Sequence, residues 1–450
     1  MRDLAFIAFL AAIFGMGFRR PFVFVLAYVY IDIVAPQRLT YLLLNAIPIS
    51  LVAAALAVGA WAMADDKRHV RAAPRQLLIL ALLFYCMWTT HRADFPVEAQ
   101  FKWEWVWKAM AFAVFLPLTL RTRLRIEALL LFMVLSAASI IIVGGIKTLG
   151  SGGGYGELNL MVANNAGLYE GSTISTVAIA IIPLILWFTR FGTIFPPDWR
   201  VRTFGYALIF SCLLIPVGTS TRTGLLCIVL LGVLMLRDVK RRATYLAAAA
   251  AAALLAVPFL PSAFTQRMET IGTYQSDASA STRIAVWQWT LDYVGTNPFG
   301  GGFDAFRQNR IRYDKVTVIG SGNNQTVQHV PEVDKARAYH SAYFEMLGEQ
   351  GWPGLFLWLA INLGGIFRME VLRRRYAKPD EDETWVAPLA GALQSAHIVY
   401  LFGASFIAIA FQPFVFMLVG AQIGLDTYLA RTRTEHGWQP MRRRAEPSAA

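Results

Sequence analysis

The sequence is poor in charged residues and in cysteine. Only 16% of its residues are charged, 56% are hydrophobic, and the mean hydropathy is +0.47. This balance excludes a soluble globular protein and indicates a chain that crosses a membrane many times. The three cysteines, Cys86, Cys212 and Cys227, all lie inside apolar runs and form neither a disulfide pattern nor a zinc-binding pattern. We interpret them as small hydrophobic residues.

Acidic residues are also scarce, with 29 Asp and Glu against 41 Lys and Arg, and the formal net charge is +12. A basic protein can bind nucleic acid. Here, however, the basic residues cluster in short segments between apolar runs, which is the distribution that sets membrane topology. We therefore expect membrane lipids, and no nucleic acid, among the partners.

The hydrophobic residues are gathered in runs that predict an all-α fold with about twelve or thirteen transmembrane helices, several of them short for a full crossing of about 20 residues. The first run lacks a small-residue cleavage site, so we predict a retained span and not a signal peptide. The runs cover residues 4–18, 21–35, 42–63, 76–90, 103–120, 126–147, 172–190, 203–219, 222–237, 243–260, 343–367, 385–408 and 411–430.

Basic segments follow every second run and predict the topology. Because such segments stay in the cytoplasm, the other connections should face the periplasm of a Gram-negative cell, with the protein in the inner membrane. A helical hairpin in the first two runs would change the parity, so the side of the N-terminus is left open. The basic segments are 67–71, 121–125, 190–202, 237–242 and 368–378, and the connections assigned to the periplasm are 91–102, 148–171, 218–222, 261–340 and 409–412.

Four regions follow from this topology. They are an N-terminal transmembrane bundle (1–260), a large periplasmic loop (261–340), C-terminal transmembrane helices (341–430) and a basic cytoplasmic tail (431–450).

The large loop is expected to be partly helical. Residues 281–294 and 303–313 have helical patterns, and Gly300-Gly301-Gly302 interrupts the chain between them. Residues 315–334 show little periodicity, so we expect that stretch to be mobile.

His340 ends the loop, where a membrane helix should meet water. An imidazole can accept and return a proton near neutral pH, and an interfacial site gives it partners from both phases. The alternative is structural, because a Tyr-His pair can also anchor a helix among lipid headgroups.

Two arginines share the predicted side of His340. Arg222 lies in a short turn between two apolar runs, and Arg283 begins the first predicted helix of the loop. An arginine among apolar residues is costly to keep without a partner and therefore indicates function, although a long side chain can also reach the interface as an anchor.

Weaker candidates lie nearby. Lys335 and Arg337 add positive charge that suits lipid phosphates, or simply anionic headgroups. The paired amides of Asn164 and Asn165 can bind sugar hydroxyls, or can be ordinary turn formers.

The residues around His340 carry a family resemblance. His340-Ser341, nine further residues, Gly351, two residues and Gly354 resemble the signature of bacterial O-antigen ligases: His, then Asn, Ser or Gln, nine residues, Gly, two residues, then Gly, Thr or Tyr. The chain is similar to the superfamily of O-antigen ligases and protein O-glycosylation ligases. Residues 1–21 resemble a branch described as O-glycosylation ligases found beside exosortase systems.

The resemblance implies a GT-C-like glycosyltransferase. Its donor would be an undecaprenyl diphosphate-linked glycan, and its acceptor either a lipid A-core sugar or a protein Ser, Thr or Tyr. It further implies inversion at the anomeric carbon with no metal or other cofactor. Arg222 and Arg283 match the order and context of two essential family arginines, which assigns them to the diphosphate and His340 to base catalysis.

Two other functions remain open. A polymerase would join repeat units on the same lipid carrier with the same kind of residues. A non-enzymatic flippase or transporter predicts internal repeats and ionisable residues at mid-bilayer, whereas the charges here lie at the ends of the apolar runs.

Overall fold

The fold was analysed in a computed structural model, which describes residues 2–41, 44, 46–68, 72–151, 168–238, 241–244, 246–247, 251, 278–319, 326–378 and 383–437. The predicted all-α, polytopic membrane architecture is confirmed. Within those ranges, six helices are long and apolar enough to cross a membrane. The helices are α1 (Arg2–Arg19), α2 (Phe22–Val34), α3 (Pro36–Leu39), α4 (Ile49–Ala64), α5 (Pro74–His91), α6 (Pro96–Thr119), α7 (Arg123–Ser151), α8 (Gly171–Phe191), α9 (Trp199–Gly218), α10 (Arg222–Met235), α11 (Ala278–Thr296), α12 (Ala342–Arg375), α13 (Val386–Ala404) and α14 (Pro413–Gly437).

Each predicted apolar run coincides with a helix, except the run 243–260, most of which lies outside the described residues. The six candidate spans are α7, α8, α9, α12, α13 and α14, and the apolar helices α2, α4 and α10 are shorter. The total of twelve or thirteen crossings therefore stays a prediction. Pro74, Pro96 and Pro413 begin α5, α6 and α14, where the missing amide proton leaves no helical hydrogen bond unmade.

The basic connections meet at one end of the helix bundle, which we call the basic end. Arg125 forms an ion pair with Asp65 at 2.6 Å, and the Arg123 guanidinium lies 4.7 Å from the centre of the Trp385 ring. Arg123 also donates to the carbonyl oxygen of Phe191 at 2.8 Å. These contacts join segments that the charge pattern assigned to a single side of the membrane.

The connections assigned to the periplasm meet at the opposite end, called here the loop end. The amide of Asp94 donates to the carbonyl oxygen of Gly301 at 2.8 Å, and the amide of Ala410 donates to Oε2 of Glu345 at 2.9 Å. The described parts of the two sets of connections thus separate in space as the alternation of basic segments predicts.

Helices α1 and α2 each run from one end of the bundle to the other, which fits the same alternation. The Phe22 ring lies 5.2 Å from the Arg125 guanidinium at the basic end. Arg38, after α2, lines a cavity with Arg307 of the loop. The amide of Tyr41 donates to Oδ2 of Asp3 at 3.1 Å. Helix α1 therefore starts at the loop end. The structure thus gives the side of the N-terminus, which the sequence left undecided.

The described part of the large loop, residues 278–319 and 326–340, contains α11, a 3-10 turn (Ala305–Gln308) and an antiparallel hairpin of β1 (Arg310–Ile319) and β2 (Thr326–Lys335). Helix α11 confirms the helix predicted at 281–294. The helix predicted at 303–313 was wrong, because the 3-10 turn and the start of β1 occupy that stretch. Residues 315–319 and 326–334 lie in the strands, residues 320–325 lie outside the described residues, and the expected mobility of 315–334 stays a prediction. Val and Thr occur in both strands and Ile in β1, and these residues favour extended pairing over a helix.

Candidate active site at the loop end

His340 lies in the turn between β2 and α12. Its backbone has a φ of 49°, in the left-handed region that histidine tolerates better than most residues. The two neighbours are buried, with Tyr339 1% exposed and Ser341 2% exposed, whereas His340 itself is half-buried. The imidazole is thus carried between two fixed residues while keeping access to the surface.

Tyr339 fixes one side of this turn. It packs with Val286 of α11 and Ile311 of β1 in a small apolar cluster, and its ring meets that of Phe306 edge to face at 5.6 Å. It also lies against Gly348 of α12, where a Cβ atom would collide with its ring and hydroxyl. The loop and α12 are therefore packed together around the residue next to His340.

Helix α11 is joined to the same turn by Trp287. The indole N–H donates to the carbonyl oxygen of Tyr339 at 2.9 Å, and the ring stacks on Phe344 with centroids 4.9 Å apart and planes 3° apart. Arg283 stands four residues earlier, on the same face of α11. This geometry directs Arg283 toward His340.

The electrostatics of His340 show which charges surround it. Burial lowers the pKa of its imidazole below the usual 6.5, the positive charges of Arg283 and Arg337 lower it further, and Glu170 opposes them. A neutral imidazole at neutral pH keeps a lone pair that can accept a proton. The arrangement is chemically suited to a general base.

Arg337 is held through its backbone. Its amide donates to Oδ1 of the buried Asn309 at 2.9 Å, and Nδ2 of Asn309 donates back to its carbonyl oxygen at 2.7 Å. Its guanidinium pairs with Asp334 at 2.6 Å. Lys335 is exposed and pairs in register with Arg310, at the end of the hairpin nearest the turn.

Arg222 begins α10 after a tight turn. The hydroxyls of Ser175, Thr219 and Thr221 form a closed ring of hydrogen bonds between 2.9 and 3.1 Å that joins this turn to α8. A Cβ atom on Gly171 would lie 3.2 Å from Thr219. The Arg222 turn therefore lies close to Glu170, the residue that precedes Gly171 and whose charge acts on the pKa of His340.

Comparison with known protein families gives two matches that adjoin along the chain. Residues 206–359 match the family model of O-antigen ligases, and residues 1–193 match a family of unknown function. Residues 206–359 belong to the O-antigen ligase family. A comparison with curated proteins gives no match.

The O-antigen ligase domain includes Arg222, Arg283, Arg337 and His340, and ends within α12. A multi-pass membrane chain with this domain has a ligase role of the glycosyltransferase type. Asn164 and Asn165, predicted as weaker sugar contacts, lie outside the described residues.

Glu170 was missed by the sequence reasoning. Its carboxylate caps α8, accepting from the amides of Ser172 at 3.0 Å and Thr173 at 2.6 Å. The signal was an acidic residue directly before Gly-Ser-Thr and an apolar run, which is typical of a helix start. The family match begins at residue 206, so this part of the site comes from outside the O-antigen ligase domain.

A buried ion network on α12 was also missed. Nζ of Lys102 lies 2.6 Å from Oε1 of Glu345 and 2.8 Å from Oε1 of Glu349. Glu349 also accepts from the amide of Asp304 at 3.0 Å. The two glutamates stand four residues apart in an otherwise apolar helix start, which was the available signal.

The glycines of the signature dock the loop backbone onto α12. Gly351 has a φ of 62° and interrupts the helix, and a Cβ there would collide with the carbonyl oxygen of Pro298. The amide of Trp352 donates to that oxygen at 3.0 Å, and the amide of Gly301 donates to the carbonyl oxygen of Gly348 at 3.1 Å. Gly351 thereby fixes the position of α12 relative to the loop.

Proposed function

We propose that the chain transfers a glycan from an undecaprenyl diphosphate carrier to an acceptor hydroxyl at the periplasmic face of the inner membrane. The acceptor is a lipid A-core sugar or a protein Ser, Thr or Tyr side chain. The O-antigen ligase domain supports the reaction class. The chemistry around His340 supports the assignment of roles.

His340 acts as the base. As the acceptor oxygen bonds to the anomeric carbon, the bond from that carbon to the diphosphate oxygen breaks, and the acceptor proton passes to the imidazole. The observation that carries this role is the position of His340, half-buried in the turn before α12, where burial and the nearby Arg283 and Arg337 lower its pKa. An imidazolium that is already protonated at neutral pH could not accept the proton of the acceptor hydroxyl.

Arg222 and Arg283 hold the diphosphate. A guanidinium offers a fixed fork of donors to phosphate oxygens and stays charged at any relevant pH. Negative charge grows on the leaving diphosphate, so cations already in position lower the barrier. Arg337 adds a further positive charge beside the imidazole, and Lys335, Asn164 and Asn165 are weaker candidates for contacts with the substrate.

In cells, this function is tested by deleting the gene for the chain and by expressing the His340→Ala variant in its place. Mass analysis of lipopolysaccharide and secreted proteins should show one glycosylated product lost on deletion and not restored by the variant. The variant's level and membrane insertion serve as the control. Loss of polymer length alone would favour a polymerase, and full activity of His340→Ala would favour a flippase.

A further inference from the structure

The cavity lined by Arg38 and Arg307 has a volume of about 780 Å³ and opens at the loop end. It lies between α2, α3, α6, the 3-10 turn of the loop and the connection before α14. Its volume falls in the range of about 300–1,000 Å³ that is typical of small-molecule sites. None of the residues assigned to catalysis or to the diphosphate lines it.

The cavity is lined by equal numbers of acidic and basic side chains. It has as many carboxylates as cations, together with two amides, so it does not select for an anion as the arginines around His340 do. Such a mixture of donors and acceptors suits the hydroxyl groups of a sugar, each of which both donates and accepts. The charged and amide residues that line it are Asp32, Glu98, Glu104, Asp304, Arg38, Lys102, Lys108, Arg307, Gln37 and Gln412.

Two polar atoms of the cavity lining are incompletely satisfied. The buried Oε1 of Gln37 and the buried Nε of Arg307 have no hydrogen-bond partner among the residues that the structure describes. The ion pairs of Arg307 are long, at 3.6 Å to both Glu98 and Asp304. Buried polar atoms are normally paired, so a polar ligand in the cavity would complete them.

Aromatic rings complete the lining. Phe101, Trp105 and Phe306 all line the cavity, and the Phe101 side chain is 68% exposed. The apolar face of a sugar ring packs against an aromatic face while its hydroxyls reach polar groups at the edges. Phe306 also contacts Tyr339 at 5.6 Å, one residue from His340. The cavity therefore adjoins the candidate active site, with the Phe306 ring between them.

We propose that this cavity binds sugar residues of the glycan substrates, on the donor or on the acceptor side of His340. The statement that the cavity lies next to the site of glycan transfer rests on the proposed function. The capacity of the cavity to bind a sugar does not, because binding is measurable without transfer.

Direct binding tests the proposal with the full chain in detergent. The probes are two oligosaccharides that lack lipid and diphosphate, one released by mild acid from lipopolysaccharide of the source cells and one from their undecaprenyl-linked glycan. We expect saturable binding of at least one, weakened at least tenfold by Gln37→Ala and by Glu104→Gln. Asp292→Asn, an exposed acid on α11 that does not line the cavity, is the matched control and should bind normally.

His340→Ala separates the two proposals, because it should lose transfer and still bind the oligosaccharide. If His340→Ala transfers normally while the cavity variants lose binding, the proposed function fails and the cavity stands. Absence of saturable binding by both probes, or binding unchanged in both cavity variants whose melting temperatures are normal, would overturn the cavity proposal.

Steady-state kinetics identify the source of the sugar. A raised KM for the donor in Gln37→Ala and Glu104→Gln, with kcat nearly unchanged, places donor sugars in the cavity. A raised KM for the acceptor places acceptor sugars there. Unchanged KM values for both substrates would contradict a sugar site.

Discussion

Trp287 donates its indole N–H to the carbonyl oxygen of Tyr339 at 2.9 Å, which ties the first helix of the loop to the turn that carries His340. The same ring stacks on Phe344 of α12. One side chain therefore sets the distance between the element that bears Arg283 and the element that follows the histidine.

Replacing Trp287 by Phe removes this hydrogen bond and keeps an aromatic ring on Phe344. The net contribution of one such bond is about 1 kcal/mol, so we expect transfer to fall by about fivefold with little change in melting temperature. Trp289→Phe is the control, since Trp289 stacks on Tyr293 and packs against the same apolar cluster as Tyr339, so it tests the loss of indole packing alone. Equal losses in the two variants would show that the bond does not position His340.

The pH dependence of transfer should reveal the charges around His340. Burial and the two arginines lower its pKa below 6.5, so the base is deprotonated at neutral pH and activity falls only at lower pH. Arg337→Gln removes a cation, raises the pKa and moves the acidic limb of the pH profile to higher pH. Glu170→Gln removes an anion and moves the limb to lower pH.

Measurement of kcat/KM against pH for both variants checks these signs. Gln at position 170 keeps an oxygen that can cap α8, so the helix start is preserved. Shifts in the same direction for the two variants would contradict the arrangement of charges.

Lys102→Met should destabilise the protein strongly. It leaves the carboxylates of Glu345 and Glu349 buried without their shared cation, and breaking a buried pair costs about 3–5 kcal/mol. We expect a clear loss of melting temperature in detergent. The double variant Lys102→Met with Glu349→Gln should recover part of it, whereas an exposed lysine changed in the same way, Lys335→Met, should have little effect. A normal melting temperature for Lys102→Met would show that the network is dispensable.

Gly351→Ala should disrupt docking of the loop. The residue has a φ of 62° and its missing side chain leaves room for the Pro298 carbonyl, so a methyl group brings both backbone strain and a collision. Gly295→Ala is the matched control, because nothing lies within 4 Å of a Cβ at Gly295. We expect transfer to be lost in the first variant and retained in the second, with proteolysis of the loop as a second readout.

The sequence predicts those parts of the molecule that depend on neighbouring residues. Long apolar runs predict the helices, basic segments predict which connections meet, and His340 with Gly351 is recognised because both belong to one short segment. The role of Gly351 in docking Pro298 needed the structure, since the partner lies on another segment.

Contacts between distant segments were not predictable. Lys102 pairs with Glu345 across 243 positions, the charge of Glu170 acts on the pKa of His340 from outside the O-antigen ligase domain, and no local pattern predicts either interaction. The hairpin of β1 and β2 was missed for a related reason: its stability depends on pairing between strands, and the polar residues of each strand obscure its alternation.

Glycan transfer by the purified full chain is the most direct test of catalysis by His340. Undecaprenyl diphosphate-linked glycan and the acceptor identified in cells are incubated with wild type, His340→Ala, Arg222→Ala and Arg283→Ala in the presence of EDTA, and the glycosylated acceptor is quantified. We expect robust transfer by wild type and a loss of at least about 100-fold in His340→Ala, the usual scale for a general base. Undiminished transfer by a correctly folded His340→Ala would contradict catalysis by His340.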